Sequence, residues 1–587
     1  MKTICTPFSE GIGNDIPLKE HPNPYFERKK YLSLNGYWDF DISCRMSLDK
    51  PTGRILVPFS PETPLSGVEV TIKKDDIMHY HRLVVLPDSF VGTDLILYFL
   101  AIDQKAYVYI NGVQSYFHVG GYCPFSLLLK DVGKSFDIDV LAEDNTSDYS
   151  FPRGKQSLTP GGIWYHATSG IYQSVYLESV PKKGHIDEIN CTGDYPNKKL
   201  FIQAAFAGIK DNPSADIYFK GKLVATSKFS EDGVAELDCS SSFHPYSNDS
   251  PDIYDIVVKD GDDEVTSHYS FRSIEKKMVK RKQYLFINGE PVFLSSLLDQ
   301  GYWPESGLTP PSFKAYQYDI ELAKRCGFNS LRKHIKVEMP IFYYLCEKEG
   351  IYVAQDFVNG GAPYSKFIFN TRPFIPYKLT DALRPILGRK NEESKNVFRR
   401  DLERTYESFH NFTSIILWTI FNEGWGQFDA KGMTNRLRIL DPERLIDSTS
   451  GWFDQGVGDF SSYHIYFRPP RIKNDHKRLL ALSETGGYTY QCPSHIYSEE
   501  VFSYRHFKNL EKLNKALERL FNKHIARLVK KQALSFLVYT QLSDVEEEVN
   551  GLVSYDRKVI KVDEKMMNKC NLNLYSLYKA AYLKASK

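Results

Sequence analysis

Apolar and polar residues alternate in short segments over the first 275 residues, and turn residues separate these segments. Leu95–Leu100 and Ala106–Ile110 are typical, and Asn111-Gly112 after the second segment is a strong hairpin signal. Residues 1–181 contain no convincing long amphipathic helix, so we predict an N-terminal β-sandwich of the jelly-roll type. Residues 182–275 alternate in the same way and predict an immunoglobulin-like β-sandwich that acts as a spacer.

Beyond residue 275 the pattern changes to strands that alternate with helices, which is typical of a parallel barrel. The predicted helices include Tyr316–Cys326, Glu338–Glu349 and Lys395–Phe409. Eight apolar segments with helices between them predict a C-terminal (β/α)8 TIM barrel in residues 276–587. The predicted strands are Val292–Leu297, Asn329–Arg332, Tyr352–Gln355, Ile415–Ile420, Leu445–Ser448, Ser462–Tyr466, Leu479–Ser483 and Phe536–Gln541.

Two of the predicted strands lead into a glutamate that glycines follow. Ile415–Ile420 leads to Glu423, and Leu479–Ser483 leads to Glu484. Parallel barrel strands bring their carboxyl ends to one mouth, so both carboxylates are expected to meet there. Taken singly, a glutamate after a strand is most often solvated or paired with an arginine. Two together form the arrangement that glycoside hydrolysis needs, because one protonates the leaving oxygen while the other attacks the anomeric carbon.

The two glutamate segments resemble the catalytic segments of glycoside hydrolase family 2, the family of β-galactosidases, β-glucuronidases and β-mannosidases. The resemblance is carried by Trp418 and Asn422-Glu423 in one segment, and by Ser483-Glu484 before a pair of glycines in the other. It implies that Glu423 is the acid/base and Glu484 the nucleophile. It also implies that Asn422 hydrogen-bonds the sugar 2-hydroxyl, a contact that strengthens in the transition state.

Other polar residues follow strand ends as well, and any one of them alone is more readily explained as a salt bridge or a strand cap. Arg332 and His334 resemble the family's Arg-x-x-His segment, with one residue between them instead of two. Tyr463 or Tyr466 would be the tyrosine that family members place near the nucleophile. The predicted substrate-binding residues are Asn422, Asp299, Arg332, His334, Trp418, His464, Tyr463, Tyr466 and Asp544.

The choice of sugar depends on a segment near the C-terminus. In glucuronidases of the family, an Asn-x-Lys pair that holds the uronate carboxylate precedes a segment similar to Gly551–Lys558. Here Glu548-Val549-Asn550 precede it, without a lysine, and a carboxylate would repel a uronate. We therefore expect a retaining exo-β-glycosidase for a neutral sugar, a β-galactoside first. A β-glucuronidase, a β-mannosidase-like enzyme, a transglycosylase and a non-catalytic carbohydrate-binding relative stay open.

Two further regions bear on the pocket. Residues 161–165 and 169–178 resemble the family's N-terminal sugar-binding domain, which packs beside the barrel. Residues 358–393 form a long loop rich in proline and aromatic residues, which predicts a wall or lid of the pocket. A surface or oligomer contact is an equally good interpretation of that loop.

The amino-acid composition limits the kinds of partner that we expect for this protein. A formal net charge of +1 argues against nucleic acid and membrane surfaces, and leaves a carbohydrate substrate and an open question of homo-oligomers. Nine cysteines without CxxC pairs predict reduced thiols, and the N-terminus shows no long apolar run, so we expect a cytoplasmic protein. No clustered His, Asp or Glu spacing demands a metal or cofactor, although some family members bind Mg or Na ions.

Overall fold

The computed structural model describes residues 4–363, 371, 380–382 and 386–587. It contains two β-sandwiches followed by a (β/α)8 barrel, so the fold class predicted from the hydrophobic pattern is confirmed. Much of the segment 358–393 lies outside the described residues, and its role as a lid or contact stays a prediction.

The N-terminal sandwich packs a six-stranded sheet against a four-stranded sheet, and both are antiparallel. In one strand Ala106, Val108 and Ile110 are buried and the residues between them are half-buried, as a strand with one covered face requires. These residues share one buried cluster with Trp38 and with Leu97 of the opposite sheet. In spatial order the strands are Gly53–Val57, Gly36–Ser43, Ile77–Val85, Ser135–Glu143, Lys105–Ile110 and Val113–Val119 in the first sheet, and Tyr31–Ser33, Val175–Val180, Asp94–Phe99 and Phe125–Leu129 in the second.

Shorter elements connect these strands. Two small strand pairs are Ile102–Asp103 with Gly170–Ile171 and Gln156–Ser157 with Tyr165–His166, and the 3₁₀ turns are Pro7–Ser9, Pro64–Ser66 and Asp88–Phe90. The pair around Tyr165 lies in the part of the sandwich that reaches the barrel.

The second sandwich consists of a three-stranded and a four-stranded antiparallel sheet. Its strands alternate between buried and partly exposed residues, as in Ser214–Phe219, where every second residue faces the core. In spatial order the strands are Gly184–Asp194, Lys199–Gly208 and Val234–Asp238, then Lys222–Lys228, Ser214–Phe219, Tyr254–Asp260 and Asp263–Tyr269, with one 3₁₀ turn at Ser240–Ser242.

A short antiparallel sheet of Ile274–Val279, Lys282–Ile287 and Glu290–Pro291 leads into the barrel. Leu285 and Ile287 from this sheet lie in the same buried cluster as barrel residues such as Leu294 and Phe536. The sheet therefore covers one end of the barrel interior with apolar side chains, and the other end is left for the chemistry.

Eight parallel strands form the barrel, and all eight predicted strands are confirmed. The strands at the two ends of the hydrogen-bonded order meet where Asp459 N donates to Ile446 O at 2.7 Å and Ser462 Oγ donates to Asp447 Oδ2 at 2.7 Å. In chain order the strands are Leu294–Asp299, Ser330–Lys333, Tyr352–Asp356, Ile415–Asn422, Leu445–Ser450, Phe460–Ile465, Leu479–Gly486 and Leu534–Thr540.

The described helices pack around this barrel, and the three predicted helices are confirmed with slightly different ends. They are Phe313–Arg325, Pro340–Glu349, Glu392–Phe409, Ala430–Leu440, Leu510–Arg519, Ala526–Gln532 and Glu564–Ser586, with a π-helical turn at Leu520–Ile525. Two short strands, Tyr488–Thr489 and Arg505–His506, pair beside the seventh barrel strand.

The N-terminal sandwich sends a loop to the barrel mouth. The backbone N–H groups of Arg153 and Gly154 donate to Asn359 O at 3.1 and 2.9 Å, just beyond the third barrel strand. A Cβ on Gly154 would lie 2.8 Å from Ile335 O, so only glycine fits this close approach. The residue that follows, Lys155, is thereby held at the end of the barrel where the strands carry their carboxyl termini.

All nine cysteines are free thiols. In the described part of the chain, we find no helix with the length and apolar character that crossing a bilayer requires.

Candidate active site

Glu423 follows the fourth barrel strand in a strained conformation. Its φ of +52° lies in the left-handed region that side chains other than glycine rarely adopt, and its N–H donates to Ser450 O at 2.9 Å. The next residue, Gly424, has φ +76°, and a Cβ there would lie 2.1 Å from the ring of Phe453. Strain of this kind clusters at functional sites, where the surrounding structure holds a side chain in one direction.

Glu484 lies near the end of the seventh barrel strand and is buried. Its Oε1 accepts a hydrogen bond from Arg332 Nη1 at 3.1 Å, and its Oε2 accepts one from the Tyr466 hydroxyl. Burial raises the pKa of Glu484, but His464, His334 and Arg332 outweigh it and lower the value to about 2. The carboxylate is therefore ionised at neutral pH, as a nucleophile must be.

His464 lies between the two glutamates. Its Nδ1 is 2.8 Å from Glu423 Oε1 and 3.4 Å from Glu484 Oε2, while Nε2 is 3.0 Å from Ser450 Oγ. One oxygen of each glutamate and one ring nitrogen of His464 all lie within 4.8 Å of one another. The two carboxylates therefore lie close enough to act on the same bond of a ligand.

Arg332 organises the ionised side of the site. Its guanidinium binds Asp356 through Nε at 3.0 Å and Nη2 at 2.9 Å, and it also reaches Glu484. Nη2 donates in addition to Asn422 Oδ1 at 2.9 Å. Because the carbonyl oxygen of Asn422 is held by Arg332, the side chain presents its N–H donors to a ligand.

His334 lies on the other side of Asp356. Its Nδ1 is 3.0 Å from Asp356 Oδ2 and 4.0 Å from Glu484 Oε1. Burial lowers the pKa of His334 to about 4, so the ring is neutral at pH 7. Burial raises the pKa of Asp356, and Arg332 and His334 lower it to about 2. Asp356 therefore stays ionised and orients both Arg332 and His334 at the site.

The structure brings six of the predicted substrate-binding or catalytic side chains to the two glutamates or next to them. Of the two tyrosines considered, Tyr466 contacts Glu484 and bonds Thr540 Oγ1 at 3.0 Å. Tyr463 is half-buried and lines a separate cavity with Trp452 and Phe453. The side chains brought together are Glu423, Glu484, Asn422, Arg332, His464 and Tyr466, with His334 one contact further out.

Three other predicted substrate-binding residues have hydrogen-bond partners within the protein, and their role in substrate binding stays a prediction. Trp418 donates to Asp441 Oδ2 at 2.8 Å and stacks on Phe357, because its side chain packs against the outer helices. Asp299 accepts from Lys333 Nζ at 2.6 Å in a buried ion cluster. Asp544 accepts from Lys561 Nζ at 2.6 Å and from Gly551 N at 2.8 Å, so it shapes the loop after the eighth strand.

Lys155 is a site residue that the sequence did not reveal, because nothing in the periodicity of the N-terminal sandwich marks a loop that docks on a distant barrel. Its backbone carbonyl accepts from Tyr165 N at 2.9 Å. The side chain is half-buried, and within the described ranges we find no hydrogen bond or ion pair to its ammonium group. Burial lowers the pKa of His334 and raises that of Glu548, and the Lys155 charge lowers both.

Glu548 follows the eighth barrel strand and is 2% exposed. It accepts hydrogen bonds from the Tyr165 hydroxyl and, at 3.4 Å each, from Gln300 Nε2 and Asn550 Nδ2. Burial raises the pKa of Glu548, which Lys155 and Tyr165 oppose. The N-terminal sandwich therefore reaches the barrel here through the hydrogen bond from Tyr165 to Glu548.

A metal fits this site poorly as a resident cofactor. Among the described residues, the one group of three with ligand atoms close together is Glu423, His464 and Glu484. These are the paired carboxylates themselves, and an imidazole is an unusual ligand for Mg²⁺, which prefers oxygen. Zn²⁺ accepts this mixture of nitrogen and oxygen ligands, but it would occupy the groups that the reaction needs.

Half-buried Glu423 and buried Glu484 form a carboxylate pair at the mouth of the (β/α)8 barrel, and this pair defines the class of site. The family model described as glycosyl hydrolases family 2, TIM barrel domain, matches residues 279–523. The match lies within the barrel, so the barrel of this chain is similar to that domain of glycosyl hydrolase family 2.

Curated relatives are distant. A β-galactosidase from Thermoanaerobacterium thermosulfurigenes is 24% identical over 508 residues, which cover 79% of this chain and 65% of that protein. A β-galactosidase from Streptococcus thermophilus is 22% identical over 426 residues, covering 66% of this chain and 37% of that protein. The chain thus spans between 37% and 65% of the length of these relatives.

Solved structures match nearly the whole chain in fold. A β-D-glucuronidase from Dictyoglomus thermophilum has a TM-score of 0.73 at 16% identity and covers 94% of this chain and 98% of its own. A β-galacturonidase from Eisenbergiella tayi has a TM-score of 0.68 at 18% identity, with the same coverage of 94% and 98%. At these identities the likeness supports the three-domain fold and leaves the sugar to be tested.

Proposed function

We propose that the protein is a retaining exo-β-glycosidase that hydrolyses terminal β-linked sugars through a covalent glycosyl-enzyme intermediate. The observation that supports this best is the pair Glu423 and Glu484, whose nearest oxygens lie within 4.8 Å. That spacing leaves no room for a water molecule between the carboxylate and the anomeric carbon, so direct attack by the carboxylate is favoured.

In the first step Glu484 Oε2 or Oε1 attacks the anomeric carbon while Glu423 gives its proton to the departing oxygen. The bond between the anomeric carbon and the leaving group breaks as the bond to Glu484 forms. In the second step Glu423, now a carboxylate, takes a proton from water. The resulting hydroxide attacks the anomeric carbon, Glu484 leaves with the bonding electrons, and two inversions give net retention.

The neighbouring side chains fit these steps. Arg332 and Tyr466 both donate to Glu484, which keeps it ionised and directs it at the sugar. Asn422, held through its carbonyl oxygen, presents N–H donors to the 2-hydroxyl, where charge develops in the transition state. We propose that the reaction needs no cofactor, because the residues of this site supply the acid, the base and the nucleophile.

For the sugar we propose a β-galactoside first. Glu548 is a buried carboxyl group in the pocket and can accept hydrogen bonds from sugar hydroxyls. The curated relatives described above carry the name β-galactosidase, which supports the same choice.

A β-uronide is the second candidate, and Lys155 is the observation that favours it. The absence of a lysine before Gly551 was the reason to expect a neutral sugar, but the N-terminal sandwich supplies one from a different part of the chain. A half-buried ammonium group without an ion pair among the described residues can bind a sugar carboxylate. The solved structures that match in fold include a β-glucuronidase and a β-galacturonidase.

The test is hydrolysis of matched chromogenic β-galactoside, glucuronide, galacturonide, mannoside, glucoside and fucoside, with Glu423→Gln and Glu484→Gln alongside. We expect one sugar to dominate, a loss of about 10²- to 10⁴-fold for Glu423→Gln, and no turnover for Glu484→Gln. The loss for Glu423→Gln should shrink with leaving groups that need no proton. Exposed Glu443 changed to Gln is the matched control.

Proton NMR of the first product anomer distinguishes retention from inversion. An α-anomer from the β-glycoside would contradict the proposed mechanism. Products joined to an added acceptor sugar would identify a transglycosylase. Binding without turnover of any glycoside would identify a carbohydrate-binding relative.

A further inference from the structure

A cavity of about 670 Å³ lies beside the catalytic cluster, which is the group formed by Glu423, His464 and Glu484. Its walls come from residues 466–469 after the sixth barrel strand, from Thr485 and Gly486 of the seventh strand, and from the helix Leu510–Arg519. Tyr466 lines this cavity, and its hydroxyl group also donates a hydrogen bond to Glu484. The Tyr466 ring stacks on Tyr504 at a centroid distance of 4.1 Å, so one pair of rings separates the nucleophile from the cavity.

The charged residues of this cavity are all cationic or titrate to a cation, and none of the lining residues is an aspartate or glutamate. Within the described part of the chain only Lys515 of this set forms an ion pair, with Glu511 at 2.6 Å, and both partners are exposed. The set is Arg468, Arg505, Lys512, Lys515, Arg519 and His524.

This excess of positive charge is local to the cavity, since the protein as a whole has 74 basic and 73 acidic residues. Burial lowers the pKa of His524, and the charges of Arg519, Lys523, Arg471 and Arg527 lower it further. Four cationic groups close enough to act on His524, in addition to burial, are consistent with a positive potential across this face.

Aromatic walls give the cavity the second element of carbohydrate recognition. The Arg505 guanidinium lies over the rings of Tyr488 and Phe507, at 5.3 and 5.0 Å from their centroids. These contacts hold the charge over an apolar surface. Aromatic faces offer packing surface for a sugar ring, and guanidinium groups bind carboxylate and sulfate in a bidentate manner.

We propose that this cavity binds an anionic sugar, one bearing a carboxylate or sulfate group, in the part of the substrate beyond the scissile bond. The proposal rests on the proposed glycosidase function, because the cavity is assigned to the substrate through its shared wall, Tyr466. The terminal sugar occupies the space between Asn422, Lys155 and Glu548. A longer substrate leaves the catalytic cluster past the Tyr466 and Tyr504 rings and reaches the cationic groups.

Direct binding tests the site without turnover. The probe is a fluorescent sulfated hexasaccharide, followed by anisotropy with the full-length chain at 0.15 M salt. The variant carries Arg468→Gln, Arg505→Gln and Arg519→Gln. The control carries Lys73→Gln, Lys130→Gln and Lys222→Gln, which removes three exposed charges from the two sandwiches.

We expect the arginine variant to bind the probe at least about tenfold more weakly and the lysine control to bind like the wild type. Equal binding by wild type and arginine variant would overturn the proposal. Equally tight binding of a DNA duplex of the same charge would also overturn it, since that result identifies a general polyanion surface.

A kinetic experiment tests whether the cavity binds the leaving-group side of the substrate. Two β-glycosides of the preferred sugar are compared, with leaving phenols of matched acidity, one neutral and one carrying a sulfonate. We expect the ratio of kcat/KM, sulfonated over neutral, to exceed one in the wild type and to fall at least about threefold in the arginine variant. An unchanged ratio would reject the leaving-group position. Arginine-dependent binding without hydrolysis of any glycoside would keep the anion site and reject the enzyme function.

Discussion

Nη2 of Arg332 donates to Oδ1 of Asn422 at 2.9 Å, and this bond decides what the amide offers to a substrate. Because the carbonyl oxygen is engaged, the amide N–H groups remain to donate to the 2-hydroxyl oxygen in the proposed reaction, a hydrogen bond that strengthens in the transition state. The same guanidinium binds the nucleophile at 3.1 Å, so the position of Asn422 and the charge state of Glu484 depend on one side chain.

Asn422→Ala should lower kcat/KM for the preferred glycoside by about 10- to 100-fold, because a hydrogen bond to a partly charged oxygen is lost. The matching 2-deoxy glycoside lacks that hydroxyl, so the same substitution should change its kcat/KM by less than about threefold. Initial rates for both substrates with the wild type and the variant give the four kcat/KM values that this comparison needs. Equal losses on the two substrates would show that Asn422 acts on the structure of the site and does not contact the 2-hydroxyl.

Tyr466→Phe removes a donor to Glu484, so the pKa of Glu484 should rise from about 2. Glu484 works only when ionised, so the acid limb of the profile of kcat/KM against pH should move to higher pH. We also expect kcat at pH 7 to fall about tenfold. Tyr463→Phe, three residues earlier in the chain, should leave the acid limb in place. A shift of the acid limb in this variant would indicate that Tyr463 also acts on Glu484.

Lys155→Gln separates the two candidate sugars. If the enzyme cleaves a uronide, the substitution should lower kcat/KM for it by about 10- to 100-fold, because the carboxylate loses an ammonium partner. The corresponding neutral glycoside should be cleaved as well as before or better. Lys130→Gln, an exposed lysine of the same sandwich, is the control. A uniform loss on both sugars would mean that Lys155 supports the docked loop and does not choose the sugar.

Gly424→Ala should displace Glu423, because the new Cβ would lie 2.1 Å from the Phe453 ring. A misplaced acid/base is expected to lower kcat by about 10²-fold. Gly456→Ala is the matched control, since its φ of +74° is close to the +76° of Gly424 and no atom lies within 4 Å of the new Cβ. Both variants should lose a similar amount of thermal stability from the backbone, and only the first should lose activity. Equal kcat values would show that the Phe453 contact does not position Glu423.

Chelation should leave the rate unchanged, because the proposed reaction uses no metal. Initial rates before and after dialysis against EDTA check this, and a loss restored by Mg²⁺ would contradict it. Added Zn²⁺ should inhibit, since Glu423, His464 and Glu484 offer ligand atoms within 4.8 Å of one another. Inhibition should be competitive with substrate, and it should weaken as pH falls and the ligands are protonated.

The sequence by itself determined the order of domains and the two glutamates. Strand periodicity in residues 1–275 and strand-helix alternation afterwards are local properties, and they translate directly into sandwiches and a barrel. Parallel strands end at one mouth, so two strands that lead into Glu423 and Glu484 could be placed together without any knowledge of distance. Retention, in contrast, depends on a separation of a few ångströms that no pattern encodes.

Side-chain direction was decided by register. The ladder between the sixth and seventh strands pairs Tyr463 with Leu482 but His464 with Glu484, so Ser483 is skipped. A similar shift between Val353 and Ala354 occurs beside the strand of Trp418. A skipped residue exchanges the two faces of a strand beyond it, so the shift at Ser483 affects which side chains of the seventh strand face those of the sixth, and the spacing of apolar residues does not encode such a shift.

Only the tertiary structure brought the N-terminal sandwich to the chemistry. Tyr165 is more than a hundred residues from the barrel in sequence, and its hydroxyl group binds Glu548 beside the close approach of Gly154 to Ile335. The cationic cavity likewise joins Arg468, Arg505 and Arg519 from three separate segments. Charge and hydrogen bonding act through space, whereas a sequence pattern reports neighbours along the chain. Contacts between distant segments therefore became visible only in the fold.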